Sequence, residues 1–194
     1  MMSGAVKRLM DVIVAALMLI ILSPVLLMGC LAVLFSMGRP VFFIHERSGK
    51  NGTLFHMIKL RTMLEDPCGQ MTDSERVTGT GLLLRKFSID ELPQLFNVLD
   101  GSMSLVGPRP LLREYDAHYS AEQSRRLLVK PGLTGLAQVT GRNELSWEDK
   151  LALDVQYVDT QSFWLDIKLL LKTPIVVLTA SGFRRSGEAT KFND

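Results

Sequence analysis

The chain has 194 residues, with 22 Lys and Arg against 20 Asp and Glu, and 47% of it is hydrophobic. That length suits one domain, or a smaller domain plus a membrane segment, and a net charge of +2 is too small for a general nucleic-acid binder. The two cysteines, Cys30 in an apolar run and Cys68 in a polar stretch, exclude a disulfide framework and offer no metal-ligand spacing, which fits a reducing compartment.

Residues 11–37 read DVIVAALMLIILSPVLLMGCLAVLFSM. The run is longer than the apolar core of a signal peptide and is followed by Gly38-Arg39-Pro40, so it is read as retained. A spanning helix needs about 20 apolar residues, and a straight crossing is the plainer reading of the length. Pro24 and the charges favour another. Proline removes the amide that would bond the Ile20 carbonyl. Basic residues flank both ends of the run, Lys7 and Arg8 before it and Arg39, Arg47 and Lys50 after it, where a simple crossing favours one end. A bend at Ser23-Pro24 gives two arms of about a dozen residues, each ~18 Å long and too short to cross ~30 Å. The expectation is a re-entrant helix hairpin, with Ser23 donating to a carbonyl freed by the break and Asp11 near the headgroups within reach of Lys7 or Arg8.

Residues 41–63 form two β-leaning runs joined through Ser48-Gly49-Lys50-Asn51-Gly52, and Asn-Gly predicts a hairpin. His45 and His56 read as strand residues. Residues 65–79 read as a loop. A short helix is expected over 81–86, and another over 88–101 with Ser88 and Glu91 at capping-box spacing and Gly101 past its end; either Ser88 or Asp90 is the cap, Pro93 limits how far upstream the helix begins, and Asp90 and Glu91 lie in its first turn or just before it. The rigid GPRPLL loop (107–112) leads into a predicted helix over 112–128, and 130–147 reads as mostly irregular. Helices are expected over 147–157 and 163–178, the second interrupted at Pro174. Its apolar content allows a helix lying on the bilayer, although a core helix is the commoner origin of such a segment.

An acidic residue at a helix start is usually a cap, so Asp90-Glu91 says little alone. Its surroundings say more. Arg85 lies five residues upstream, Lys59 and Arg61 stand on the second strand of the hairpin, and Arg109 sits between two prolines. Rigidly placed cations around carboxylates suit phosphate chemistry, because Arg grips phosphate oxygens and a carboxylate can hold Mg²⁺ or attack phosphorus. A surface salt-bridge network is the alternative. Zinc spacing, a P-loop, GxGxxG after a strand and GxSxG are all missing.

At KLRTM (59–63), RVTGTGLLLRKFSIDELPQLFNVLDGSMSLVGPRPLL (76–112) and KPGLTGLAQVTGRNELSWEDK (130–150) the chain resembles the monotopic phosphoglycosyl transferases, a family of bacterial sugar transferases. The likeness extends over essentially the whole chain and points to small members made of the catalytic domain alone; the ending RRSGEATKFND is similar to theirs. The resemblance implies an α+β fold with a re-entrant helix (1–38) broken at Ser23-Pro24 and a membrane-facing catalytic domain (39–194) on the cytoplasmic face of the bacterial inner membrane. It implies transfer of a sugar-1-phosphate from a UDP-sugar to polyprenyl phosphate, with Asp90 as nucleophile and Glu91 supporting Mg²⁺. Lys59, Arg61, Arg85, Arg109, Gln138 and Arg142 are the implied substrate contacts. The expected partners are the two substrates, membrane lipid and downstream glycosyltransferases, without nucleic acid. The ending favours an N-acetylated sugar. Where the family often reads QVNGRN this chain has Thr140, while Gln138, Gly141, Arg142 and Asn143 match. A silent membrane adaptor and an aspartate-dependent phosphatase are the rival readings.

Overall fold

The computed structural model describes residues 4–66, 68–180 and 182; the tail that carried the sugar expectation lies outside them. Helices combine with two small two-stranded sheets, the mixed architecture expected.

Helix α1 (Gly4–Met37) runs without interruption through Pro24, where two arms were expected. Ser23 Oγ does donate to the Ile20 carbonyl, at 2.8 Å, satisfying the acceptor that proline orphans. One stripe of α1 faces the rest of the molecule in two patches. Asp11 and Ala15 are buried near one end, where Ala15 joins a core with Leu95, Val98, Met103, Leu105 and Tyr157; Val33 joins a second core with Leu60 and Leu84. Gly29 allows the second approach, since a Cβ there would lie 2.9 Å from Leu60 Cδ1. Ile20, Ile21, Leu27 and Met28 between the patches are exposed.

Asp11 pairs with neither Lys7 nor Arg8. It is buried and accepts from Ser104 Oγ (2.8 Å) and the Leu105 amide (3.1 Å), so one side chain and one backbone amide of the Ser104-Leu105 segment satisfy the carboxylate. Arg8 donates to the Val98 and Leu99 carbonyls at the end of α4 (Gln94–Asp100), where backbone acceptors lack helical partners.

Strands β1 (Phe42–Ser48) and β2 (Leu54–Leu60) form the predicted antiparallel hairpin, with Phe43 opposite Lys59 and Asn51 and Gly52 both at positive φ in the turn. The 65–79 loop contains one turn of helix, α2 (Asp73–Arg76), and an isolated bridge from Met63 to Val77. Helix α3 (Gly79–Lys86) starts at Thr78, whose Oγ1 accepts from the Gly81 amide.

Three expectations fail here. Residues 88–101 are not one capped helix: Ser88 is left-handed (φ 52°) and makes no cap bond, a 3₁₀ turn covers Ile89–Glu91, and α4 begins only after Pro93. Residues 112–128 form two 3₁₀ segments, Arg113–His118 and Gln123–Leu128, split by extended backbone at Tyr119; REYDAHYSAEQ offers no apolar stripe to bury as a helix. The supposedly irregular 130–147 holds β4 (Gly132–Thr134), parallel to β3 (Ser104–Val106), and α5 (Leu136–Thr140). A Cβ at Gly132 would lie 2.1 Å from the Gly107 amide nitrogen, so the glycine that suggested irregularity instead permits close strand approach.

Helix α6 (Trp147–Thr160) starts at Ser146, and α7 (Phe163–Leu178) at Ser162. Pro174 does not interrupt α7. Nor is α7 an ordinary core helix: it buries only Asp166 and Leu169, while Trp164, Leu171, Ile175 and Leu178 lie exposed at helical spacing.

Candidate active site

A cleft of about 640 Å³ runs between the hairpin, the 3₁₀ turn at 89–91, the Pro108–Leu112 loop and α6. Lys59, Arg61, Arg85, Asp90, Glu91, Arg109, Gln138 and Arg142 all line it. The carboxylates stand on consecutive residues of a tight turn fixed by Ser88 and Pro93, which sends them to different partners.

Glu91 takes the cations. Its Oε1 accepts from Lys59 Nζ (2.8 Å) and Arg109 Nη2 (2.7 Å), one from the sheet and one from the proline-flanked loop. Burial would raise its pKa, but Arg109 and Lys59 outweigh that and hold it well below the usual carboxylate range. Asp90 has no ion pair or hydrogen bond to its carboxylate among the described residues, and it is 7% exposed. Burial, then the charge of Glu91, pushes its pKa up to about 6 against the pull of Lys59, Arg85 and Arg109. Asp90 lies in the turn before α4, which begins at Gln94, and no cation forms an ion pair with it among the described residues.

The remaining predicted contacts divide. The Arg109 side chain is half exposed, leaving part of its guanidinium to the cleft. Arg85 Nε is held by Thr62 Oγ1 at 2.8 Å. Arg142 donates to Ser88 Oγ at 2.9 Å while its Nη1 is buried without a partner, and both amide atoms of Gln138 are buried and unpartnered. Arg61 is the exception. Its Nη2 donates to the Met37 and Gly38 carbonyls (2.8 Å to Gly38), so it caps the C-terminal end of α1 and holds that end against β2.

Sequence reasoning missed Gln94, Arg126, Asp154 and Arg47. Gln94 and Asp154 are buried on the cleft wall, each with an unpartnered polar atom. Arg47 also lines it; burial, then Arg109, depresses its guanidinium to about 10. The i, i+3, i+4, i+7 recurrence of Trp147, Lys150, Leu151 and Asp154 was the available signal for α6.

A buried carboxylate without an ion-pair partner, beside a second carboxylate paired with two cations, in a cleft lined by further Arg and Lys, is an arrangement suited to chemistry on phosphate-bearing substrates. The family described as bacterial sugar transferase matches residues 2–180. The chain is 47% identical over 187 residues to EpsL, an uncharacterized sugar transferase of Bacillus subtilis, covering 95% of this chain and 93% of that protein. It is 43% identical to the UDP-glucose:undecaprenyl-phosphate glucose-1-phosphate transferase of Caulobacter vibrioides, over 89% of this chain and 70% of that one. It is 37% identical to the undecaprenyl-phosphate galactose phosphotransferase of Salmonella typhimurium, over 93% of this chain and 42% of that one. The chain belongs to the bacterial sugar transferase family, and it is an enzyme of the phosphoglycosyl transferase class.

Proposed function

We propose that the chain transfers a sugar-1-phosphate from a UDP-sugar to undecaprenyl phosphate and releases UMP, the step that initiates a glycan. The names of the Caulobacter and Salmonella relatives support this substrate pair. Glucose and galactose, the sugars in those relatives' names, are the first donors we would test, beside the N-acetylated sugars that the chain's ending suggested.

The observation that carries the reading is the division of labour between Asp90 and Glu91. An Asp90 oxygen attacks the sugar-proximal phosphorus, the bond from phosphorus to the bridging oxygen breaks, and UMP leaves with that oxygen. An oxygen of undecaprenyl phosphate then attacks the same phosphorus, releasing the carboxylate and forming the lipid diphosphate sugar, on which later glycosyltransferases act. With a pKa of about 6, Asp90 is mostly ionised at neutral pH and free of a tight partner. Glu91 holds Lys59 and Arg109 where they meet phosphate oxygens.

Mg²⁺ belongs to this proposal. No three His, Cys, Asp or Glu side chains gather as a metal cluster among the described residues. Asp90 and Glu91 are the residues that would hold such an ion together with substrate phosphates, and oxygen donors of that kind suit Mg²⁺. When bound, it offsets phosphate charge.

The membrane placement we propose is monotopic, on the cytoplasmic face of the inner membrane, with α1 re-entrant at Ser23-Pro24. In support, Arg8 near one end of α1 and Gly38 past the other are both bonded to the same catalytic domain, whereas a straight crossing would set them apart by ~30 Å of hydrocarbon.

Intact-protein mass spectrometry after incubation with UDP-glucose or UDP-galactose alone tests the reaction: an added sugar-phosphate is expected, discharged by undecaprenyl phosphate. An unmodified protein that makes product only with both substrates present would mean direct transfer in a ternary complex, leaving Asp90 a metal ligand.

A further inference from the structure

Asp154 lies near the middle of α6, 3% exposed, on the cleft wall. Its Oδ2 is occupied: Arg126 Nε (3.1 Å) and Nη2 (2.8 Å) both donate to it. The same Arg126 Nη2 donates to the Arg109 carbonyl at 2.5 Å, and Nη1 to the Tyr119 hydroxyl at 3.1 Å. Arg126 is thus spent on holding the backbone of the residue whose guanidinium meets Glu91. The other carboxylate oxygen, Oδ1, is buried without any donor. Leaving a buried carboxylate oxygen unmatched costs free energy, and such an atom on a substrate cleft is expected to find its donor in the ligand.

We propose that Asp154 Oδ1 accepts a hydrogen bond from a hydroxyl group of the donor substrate, and that Asp154, through Arg126, ties recognition of that hydroxyl to the placement of Arg109. This rests on the reading of the donor as a UDP-sugar. Hydroxyls are the matching chemistry, because the phosphates carry negative charge and would be repelled by a carboxylate. Two parts of the donor bear them, the ribose and the hexose. Arg126 is a positioning residue; Asp154 both positions and binds.

The test measures KM and kcat for UMP release with UDP-glucose, its 2-, 3-, 4- and 6-deoxyhexose analogues, and the 2′-deoxyribose analogue. With the wild-type protein, one deletion is expected to raise KM by at least roughly 10-fold, as for a hydrogen bond to a charged group; a ribose or a hexose hit identifies the source. In Asp154→Asn that same deletion should cost less than about 3-fold further, while Arg126→Lys should lower kcat and keep the discrimination. Wild-type enzyme indifferent to every deletion overturns the proposal, whether or not the variants fold. So does an Asp154→Asn protein equally weakened towards all analogues, which leaves Asp154 only as the support of Arg126. The covalent adduct on the wild-type chain is scored separately, so its presence with a failed hydroxyl test sinks this inference alone.

Discussion

Lys7 and Asp166, 159 residues apart, meet at 2.6 Å, with the Asp166 carboxylate fully buried. The second oxygen of Asp166 accepts from the Tyr157 hydroxyl at 2.8 Å, so one carboxylate joins the first turns of α1 to α6 and α7. The N-terminal end of the apolar helix is thereby fastened to α7.

Lys7→Met should therefore be strongly destabilising, by on the order of 3 kcal/mol, because it strands a buried charge. Thermal unfolding in a fixed detergent measures this. Lys7→Met with Asp166→Asn should recover part of the loss; no recovery would mean that the pair is not coupled.

Asp90→Asn should abolish the covalent adduct and UMP release. The variant should also be more stable at pH 7, by on the order of 1–3 kcal/mol, since burying the ionised carboxylate is costly. The sign follows from a folded pKa of about 6 against an ordinary value of 3.8: the cost is fully present above about pH 6 and is relieved as the pH falls towards 3.8. First-step rates should decline on the acid side with a midpoint near pH 6, read by single-turnover kinetics. A flat profile down to pH 5 would remove Asp90 from the nucleophile role.

Arg109→Lys should reduce turnover roughly 10- to 100-fold, because an ammonium cannot both hold Glu91 and grip a phosphate with a planar fork. Glu91→Gln should release Lys59 and Arg109 towards Asp90, slow the reaction and weaken its Mg²⁺ dependence. Steady-state rates across a Mg²⁺ titration separate the two variants, and wild-type rates in Arg109→Lys would assign Arg109 a structural role.

For the membrane helix, Gly4→Cys in a Cys30→Ser background should react with an impermeant thiol reagent from the same side as exposed Cys68. Labelling from opposite sides would establish a crossing. Pro24→Ala should shift part of the population towards that crossing by restoring the amide bond to Ile20.

Much of the fold could be read from local chemistry. Asn51-Gly52 placed the hairpin turn, Ser23 found its carbonyl, and the cleft gathers every cation singled out around Asp90 and Glu91. What escaped depends on partners distant in sequence. The three-residue strands β3 and β4 exist because Gly107 and Gly132 let two backbones touch, and no periodicity announces that. Arg61 has the composition of a phosphate ligand, and the sequence did not show that its Nη2 bonds the carbonyls at the end of α1. Asp11 followed the same logic, drawn inward by Ser104. The Arg126–Asp154 pair was hidden because 28 residues separate its members.

Ala15 and Val33, both fully buried, come from the two halves of α1 and complete two different cores. The apolar helix is thus a structural wall of the rest of the chain, whatever it does in lipid. A shortened chain starting at Val41 would uncover both cores and lose the Asp11, Arg8 and Lys7 tethers at once. Removing the helix to gain solubility would instead yield an aggregating polypeptide, so activity has to be studied in detergent or lipid with the full chain.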